Sequence, residues 1–162
     1  MSNLQDLRRR VGECARRLDE LQPLGPGEPG APDPATGERW DRFHVLGHVG
    51  EMLPFWTGEM RRLLEGAGEV GRDDDGYIRR EAAIASAAEA DEAELLHAAR
   101  SGTAGLVALL DDLSESDLSR VALRRSREGE RESTLGDQLE QALVGHLEEH
   151  VAQLEGRSPA SA

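Results

Sequence analysis

Two histidines four residues apart, His146 and His150, stand near the end of a 162-residue chain in the run Gly145-His146-Leu147-Glu148-Glu149-His150-Val151-Ala152-Gln153-Leu154. On a helix this spacing puts both rings on one face, with Cβ atoms roughly 5–6 Å apart, so both can reach one cation. Projection at about 100° per residue places them in a stripe with Leu135, Leu139, Ala142, Leu143 and Leu154, which turns the rings inward. An isolated pair of this kind is usually two hydrogen-bonded core histidines, because an unpaired buried polar group is expensive. A third ring, His48, projects to the same face as Val45, Met52, Phe55, Trp56 and Leu63. Three imidazoles are the ligand count of a catalytic metal site that keeps a coordination position open. Imidazole suits zinc, nickel, copper or iron. The rings must be neutral to bind, so affinity is expected to fall below about pH 6.5.

Other residues invite chemistry less strongly. His146 to His150 matches the inverted zincin pattern HxxEH, but that site needs a further ligand well downstream, and only twelve residues remain. Glu149 is kept as a candidate orienting group or proton acceptor, against the plainer reading of a solvated helix acid. Asp73-Asp74-Asp75-Gly76 resembles a calcium loop only superficially: with Gly76 in sixth place, Gly71 and Ala82 occupy positions that need a carboxylate. That segment reads as a solvated turn. Cys14, the single cysteine, lies on an apolar stripe and reads as a small core residue. His97 has Ala93, Glu94, Arg100 and Ser101 at helical spacing and is expected to face solvent.

The elements that must position the three rings follow from apolar periodicity. Leu4, Leu7, Val11, Cys14, Leu18 and Leu21 define a first amphipathic helix. Five prolines between Gln22 and Arg39 exclude regular structure and predict a long crossing loop. Asp41 caps a second helix carrying His48, with His44 where a capping box prefers Glu or Gln, and Pro54 predicts a kink after His48. Ile78 to Ala90 reads as a short helix, and Asp91 caps a long one through Leu95, Ala99, Leu106, Leu109, Leu110 and Leu113. Gly102 and Gly105 in it allow close packing with a neighbour. An Arg-rich passage then leads to Thr134, which caps the helix bearing His146 and His150; no strand is expected. The fold class is therefore all-α, a four-helix bundle with long crossing loops in a single domain over 1–156, and 157–162 as a frayed tail.

Composition bounds the partners. With 19 basic residues, every one of them Arg, against 32 acidic ones, the formal charge is −13. From this balance no nucleic-acid partner is expected, and no run approaches the length of a membrane span. Without a signal-peptide pattern or a cysteine pair, a cytoplasmic location is the expectation; the enzyme reading of the three histidines adds a small-molecule substrate, and a homodimer is the assembly considered.

The run Trp40-Asp41-Arg42-Phe43-His44-Val45-Leu46-Gly47-His48-Val49-Gly50-Glu51-Met52 resembles the W-S-x-x-E-V-L-x-H-L signature of the DinB/YfiT-like superfamily. The stretch Leu143 to Leu154 is similar to that superfamily's closing H-x-x-x-H-x-x-Q-[IL] motif, and the order of the two motifs agrees. The resemblance implies a four-helix bundle with a divalent metal (zinc, nickel or iron) on His48, His146 and His150. It also implies a thiol-dependent transferase, isomerase or hydrolase that uses a low-molecular-weight thiol such as mycothiol. Asp41 replaces the usual Ser, and His44 replaces the usual Glu, adding a possible extra ligand one turn before His48. The alternative is a non-catalytic metal-binding or stress-associated interaction module, dimeric through an exposed helix face.

Overall fold

The computed structural model describes residues 2–32, 34 and 36–156; the tail expected at 157–162 lies outside them. The chain is mostly helical with a small three-stranded sheet. Helix α1 (Leu4–Asp19) is capped by Asn3, whose side chain accepts the Asp6 N–H. It buries the stripe read from the sequence, Leu4, Leu7, Val11, Cys14 and Leu18. Burial pushes the Cys14 thiol up to about 11, which leaves it an inert core group.

The Pro-rich loop crosses one end of the helical layer and is pinned there. Arg42 donates to Glu92, to the Leu154 carbonyl and to the Gln22 carbonyl, while Glu92 also accepts the N–H groups of Leu24 and Gly25. These contacts place Trp40, the last residue before α2 but one, beside the ends of three helices. Helix α2 (Arg42–Leu64) is the central element, buried on several faces. Its capping box is complete: Asp41 accepts the Phe43 and His44 N–H groups, and His44 Nδ1 takes the place of the usual Glu. The helix continues past Pro54, which sits on its exposed side.

Helix α3 (Asp74–Ala87) starts four residues earlier than expected, because Asp73 acts as its N-cap by accepting the Gly76 N–H. Helix α4 (Glu92–Asp112) packs closely on α2; a Cβ at Gly102 would lie 2.9 Å from that of Leu53, so this glycine sets the approach of the two helices. His97 is exposed.

The expectation of helices alone is corrected by the sheet. Strands β1 (Glu69–Gly71), β2 (Val121–Ser126) and β3 (Gly129–Thr134) lie in that order, β1 parallel and β3 antiparallel to β2. Residues Val70, Arg124 and Arg131 form one row across the sheet, and Ala122 opposite Ser133 forms the next on the same face. Val70, Ala122 and Ser133 are buried, so this face is turned to the helices.

The chain then enters α5 (Leu135–Gln138), capped by Thr134, passes through a π-helical stretch (Leu139–Val144) and continues as α6 (Gly145–Leu154). Arg10 of α1 braces this distortion by ion-pairing with Glu140 on the π stretch and Glu148 on α6, each at 2.7 Å. The core is shared by all the long helices, with Leu7, Leu46, Leu53, Met60, Leu106, Leu110, Leu139 and Leu143 almost fully buried.

Candidate metal centre

The structure brings the three histidines together. One ring nitrogen from each of His48, His146 and His150 lies within 4.8 Å of the others. His48 Nε2 and His146 Nε2 are 3.2 Å apart. Two nitrogens bound to one tetrahedral ion at 2.0–2.1 Å would stand about 3.3 Å apart, so this pair already has the spacing a metal requires.

His48 and His150 are buried, whereas His146 is half-buried and forms the open side. Burial, followed by the neighbouring His150, lowers the His146 pKa to about 3. The same two causes, with His146 added, depress His48 far below the usual imidazole range. Burial also lowers His150, against a hydrogen bond to Gln153 that raises it. All three rings are therefore neutral across physiological pH. The loss of metal expected below about pH 6.5 is displaced to lower pH, since the folded protein holds the rings deprotonated well below that value.

The tautomer of His150 follows from its partner. His150 Nδ1 donates to Gln153 Oε1 at 2.7 Å, which leaves Nε2 with its lone pair free, and no protein group meets that buried nitrogen. His48 Nδ1 is likewise buried without a partner. An orphaned buried Nε2 on His150, in a cluster of three neutral rings, is costly in a merely structural core, so the donor set fits a divalent cation.

Trp40 closes the other side. Its ring lies 5.2 Å from that of His48 and stacks on His150 at 6.3 Å. Trp40 and Gln153 were both present in the matched motifs, yet the sequence did not indicate that one covers the rings and the other orients them.

Two sequence candidates are elsewhere. His44 stays at the N-cap, where Nδ1 accepts from the Asp41 N–H in one tautomer and donates to Asp41 Oδ1 in the other. It is not part of the metal-capable group. Glu149 is exposed and also outside that group, because its position on α6 is rotated off the histidine stripe toward solvent.

Arginines missed by the sequence reading surround the centre. Arg72 is buried, bonds both carboxylate oxygens of Glu51 and lies over the Phe55 ring at 3.9 Å. Arg80 stands over Trp40 at 5.7 Å, and Arg124 over Trp56 at 5.0 Å.

No family model matches the sequence, and no curated protein matches it. Two solved structures do match the fold. One is a mycothiol-dependent maleylpyruvate isomerase, at 19% identity and a TM-score of 0.66 over 95% of this chain; the chain spans 63% of that protein's length. The other is the colibactin self-resistance protein ClbS in complex with dsDNA, at 13% identity and a TM-score of 0.68, covering 96% of this chain and 95% of that one. The second finding corrects the expectation that nucleic acid is excluded. A formal charge of −13 is a sum over the whole surface and does not forbid a local basic face, and a protein of this fold is crystallised on DNA. No helix among the described residues is long and apolar enough to cross a membrane. Motif order, architecture and structural neighbours agree that the fold of this chain is the DinB-like fold.

Proposed function

We propose that the protein is a divalent-metal-dependent enzyme acting on a small molecule, with His48, His146 and His150 as the metal ligands. The observation that carries this reading is the meeting of three neutral ring nitrogens, within 4.8 Å, from segments far apart in sequence, with the buried Nε2 of His150 satisfied by no protein atom. A cation there supplies Lewis acidity and lowers the pKa of a thiol or water, giving a nucleophile at neutral pH. The chain's own residues do the positioning. Gln153 fixes the His150 tautomer, Trp40 excludes water from the inner side, and the half-buried His146 marks the side from which substrate approaches.

The likeness to a mycothiol-dependent isomerase makes a low-molecular-weight thiol the first cosubstrate to test. Zinc, nickel and iron(II) are each added to metal-stripped protein, and conjugation of mycothiol or bacillithiol to electrophilic acceptors is followed. Activity restored by one metal and abolished in His146→Ala supports the reading. Absence of stoichiometric metal binding by the wild type sinks it, while metal binding without turnover of any thiol leaves a metal-binding module.

A second reading has its own observation, the neighbour crystallised on dsDNA and matched over 95% of its length. Exposed arginines such as Arg127 would then meet phosphates, and binding would fall steeply with salt. Gel-shift titration of a short duplex at two salt concentrations tests it.

A further inference from the structure

Arg80 and Arg124 differ from the other arginines near the centre. Arg72 has its carboxylate in Glu51, and on the outer surface Arg125 pairs with Glu69 and Glu130 and Arg127 with Glu81. Among the described residues neither Arg80 nor Arg124 has a carboxylate or hydrogen-bond partner, although the chain carries 32 acids to 19 arginines. Each guanidinium is instead held against a tryptophan face.

The placement of Arg124 is set by the strand. Alternation puts it on the face of β2 that carries the buried Ala122, so it points at the helices rather than at bulk water. Its cross-strand partner on that face is Arg131, a like charge directly opposite, and among the described residues the Arg131 guanidinium is bonded only to the neutral Gln141. Trp40, under Arg80, is the ring that stacks on His150. Burial and Arg131 both act against the charge on Arg124, and both Arg80 and Arg124 act electrostatically on His146, the open side of the centre. Nearby, Gln138 precedes His146 by eight residues, one α turn plus one wider π turn, and so shares its face; it is fully buried with neither amide atom partnered.

We propose that Arg80 and Arg124 form an anion-binding edge to the three-histidine centre, which receives a small ligand bearing a carboxylate or phosphate group. Two half-buried guanidiniums set beside neutral rings, neither of them ion-paired or hydrogen-bonded among the described residues, leave charged donors free to meet an oxyanion. The inference deepens the enzyme reading by naming the charge class of its substrate, and it rests on the histidine centre being the working site.

Calorimetry with succinate and with inorganic phosphate, on metal-free and zinc-loaded protein, tests it. Binding of either anion should weaken by roughly tenfold or more in Arg80→Gln and in Arg124→Gln. Arg124→Lys should recover part of the loss, and Arg16→Gln, at an exposed α1 arginine paired with Glu13 and Glu20, should leave binding unchanged. The preferred probe tells carboxylate from phosphate. If zinc fails to bind but the anion still binds through Arg80 and Arg124, the metal reading falls and the anion site stands. Zinc binding to every variant, with both anions bound equally by all of them or by none, overturns the anion site. Binding of a short DNA duplex that is lost in Arg80→Gln and Arg124→Gln, and that succinate does not displace, overturns it too.

Discussion

His48 Nε2 lies 3.2 Å from His146 Nε2 although the residues are 98 positions apart in the chain. The contact joins the second turn of α2 to the start of α6, so an ion placed there would staple two helices that the polypeptide connects through α3, α4, the sheet, α5 and the π stretch. A ligand that binds only the native state stabilises it by about 2.7 kcal/mol at a hundred times its Kd. For a domain of this size that amounts to a rise in Tm of about 5–10 °C. Zinc should therefore raise the melting temperature of stripped protein by several degrees, EDTA should reverse the rise, and His48→Ala should show neither effect.

Gln153 is the residue through which the His150 ring is oriented. Its Oε1 accepts from Nδ1 at 2.7 Å, which points the Nε2 lone pair into the centre. Gln153→Leu keeps the volume and removes the acceptor, so the ring is free to turn or change tautomer. Metal affinity should drop by roughly 10–100-fold with little change in the melting temperature of the stripped protein. Gln153→Glu restores an acceptor and should bind more tightly than the leucine variant. Equal affinity in wild type and Gln153→Leu, measured by competition with a chelating dye, would remove the orienting role.

How much of this was legible in the sequence depends on which pattern each segment carries. The stripe of α1 and the caps Asp41, Asp91 and Thr134 were readable because helical burial repeats every three or four residues and the caps satisfy the first free N–H groups. The sheet was not. In β2 the buried Ala122 is followed on the same face by Arg124, and Leu123 on the opposite face is only half-buried, so no apolar alternation marks the strand. With three residues, β1 is too short to carry a period at all. The three histidines were found from their spacing and faces, since i and i+4 geometry survives even a locally distorted helix. Arg80 and Arg124 were not, because their relation to the rings is made by the sheet packing on α2 and by two tryptophans.

The π stretch preceding His146 was also invisible in sequence, and Gly145 shows what it depends on. The Gly145 N–H reaches the Glu140 carbonyl, five residues back, and a Cβ built on Gly145 would lie 2.8 Å from that oxygen. No side chain fits without moving the backbone, so Gly145→Ala should push the segment toward regular α geometry. That change rotates everything after it relative to α5 and takes His146 away from His48. The expected outcome is stable helical protein, destabilised by about 1–3 kcal/mol as for other overpacking changes, but with metal binding largely lost. Retention of wild-type metal affinity in Gly145→Ala would show that the wide turn does not position the ring.

The histidines also fix how stability responds to acid. In the unfolded chain each ring takes up a proton near pH 6.5, while in the folded, metal-free protein burial holds His146 neutral down to about 3 and depresses His48 and His150 as well. Below pH 6.5 the unfolded state therefore binds more protons than the native state, so stability falls as pH falls, and above that value the rings contribute no slope. Each such ring adds up to about 1.4 kcal/mol per pH unit. The carboxylates bound by arginine, including Glu92 and Glu140, contribute mainly as pH falls toward and below their ordinary value of 4.5, so the first part of the decline below 6.5 belongs to the histidines. Denaturant unfolding of EDTA-treated protein should show a midpoint that is flat from pH 8 to 7 and declines steadily as pH falls further. His146→Ala should flatten the decline in part, because one of the rings that separates the two states is gone. A metal-free midpoint that does not move between pH 7 and 5 would mean that the rings reach solvent and accept protons in the native state, which is incompatible with a closed three-histidine centre.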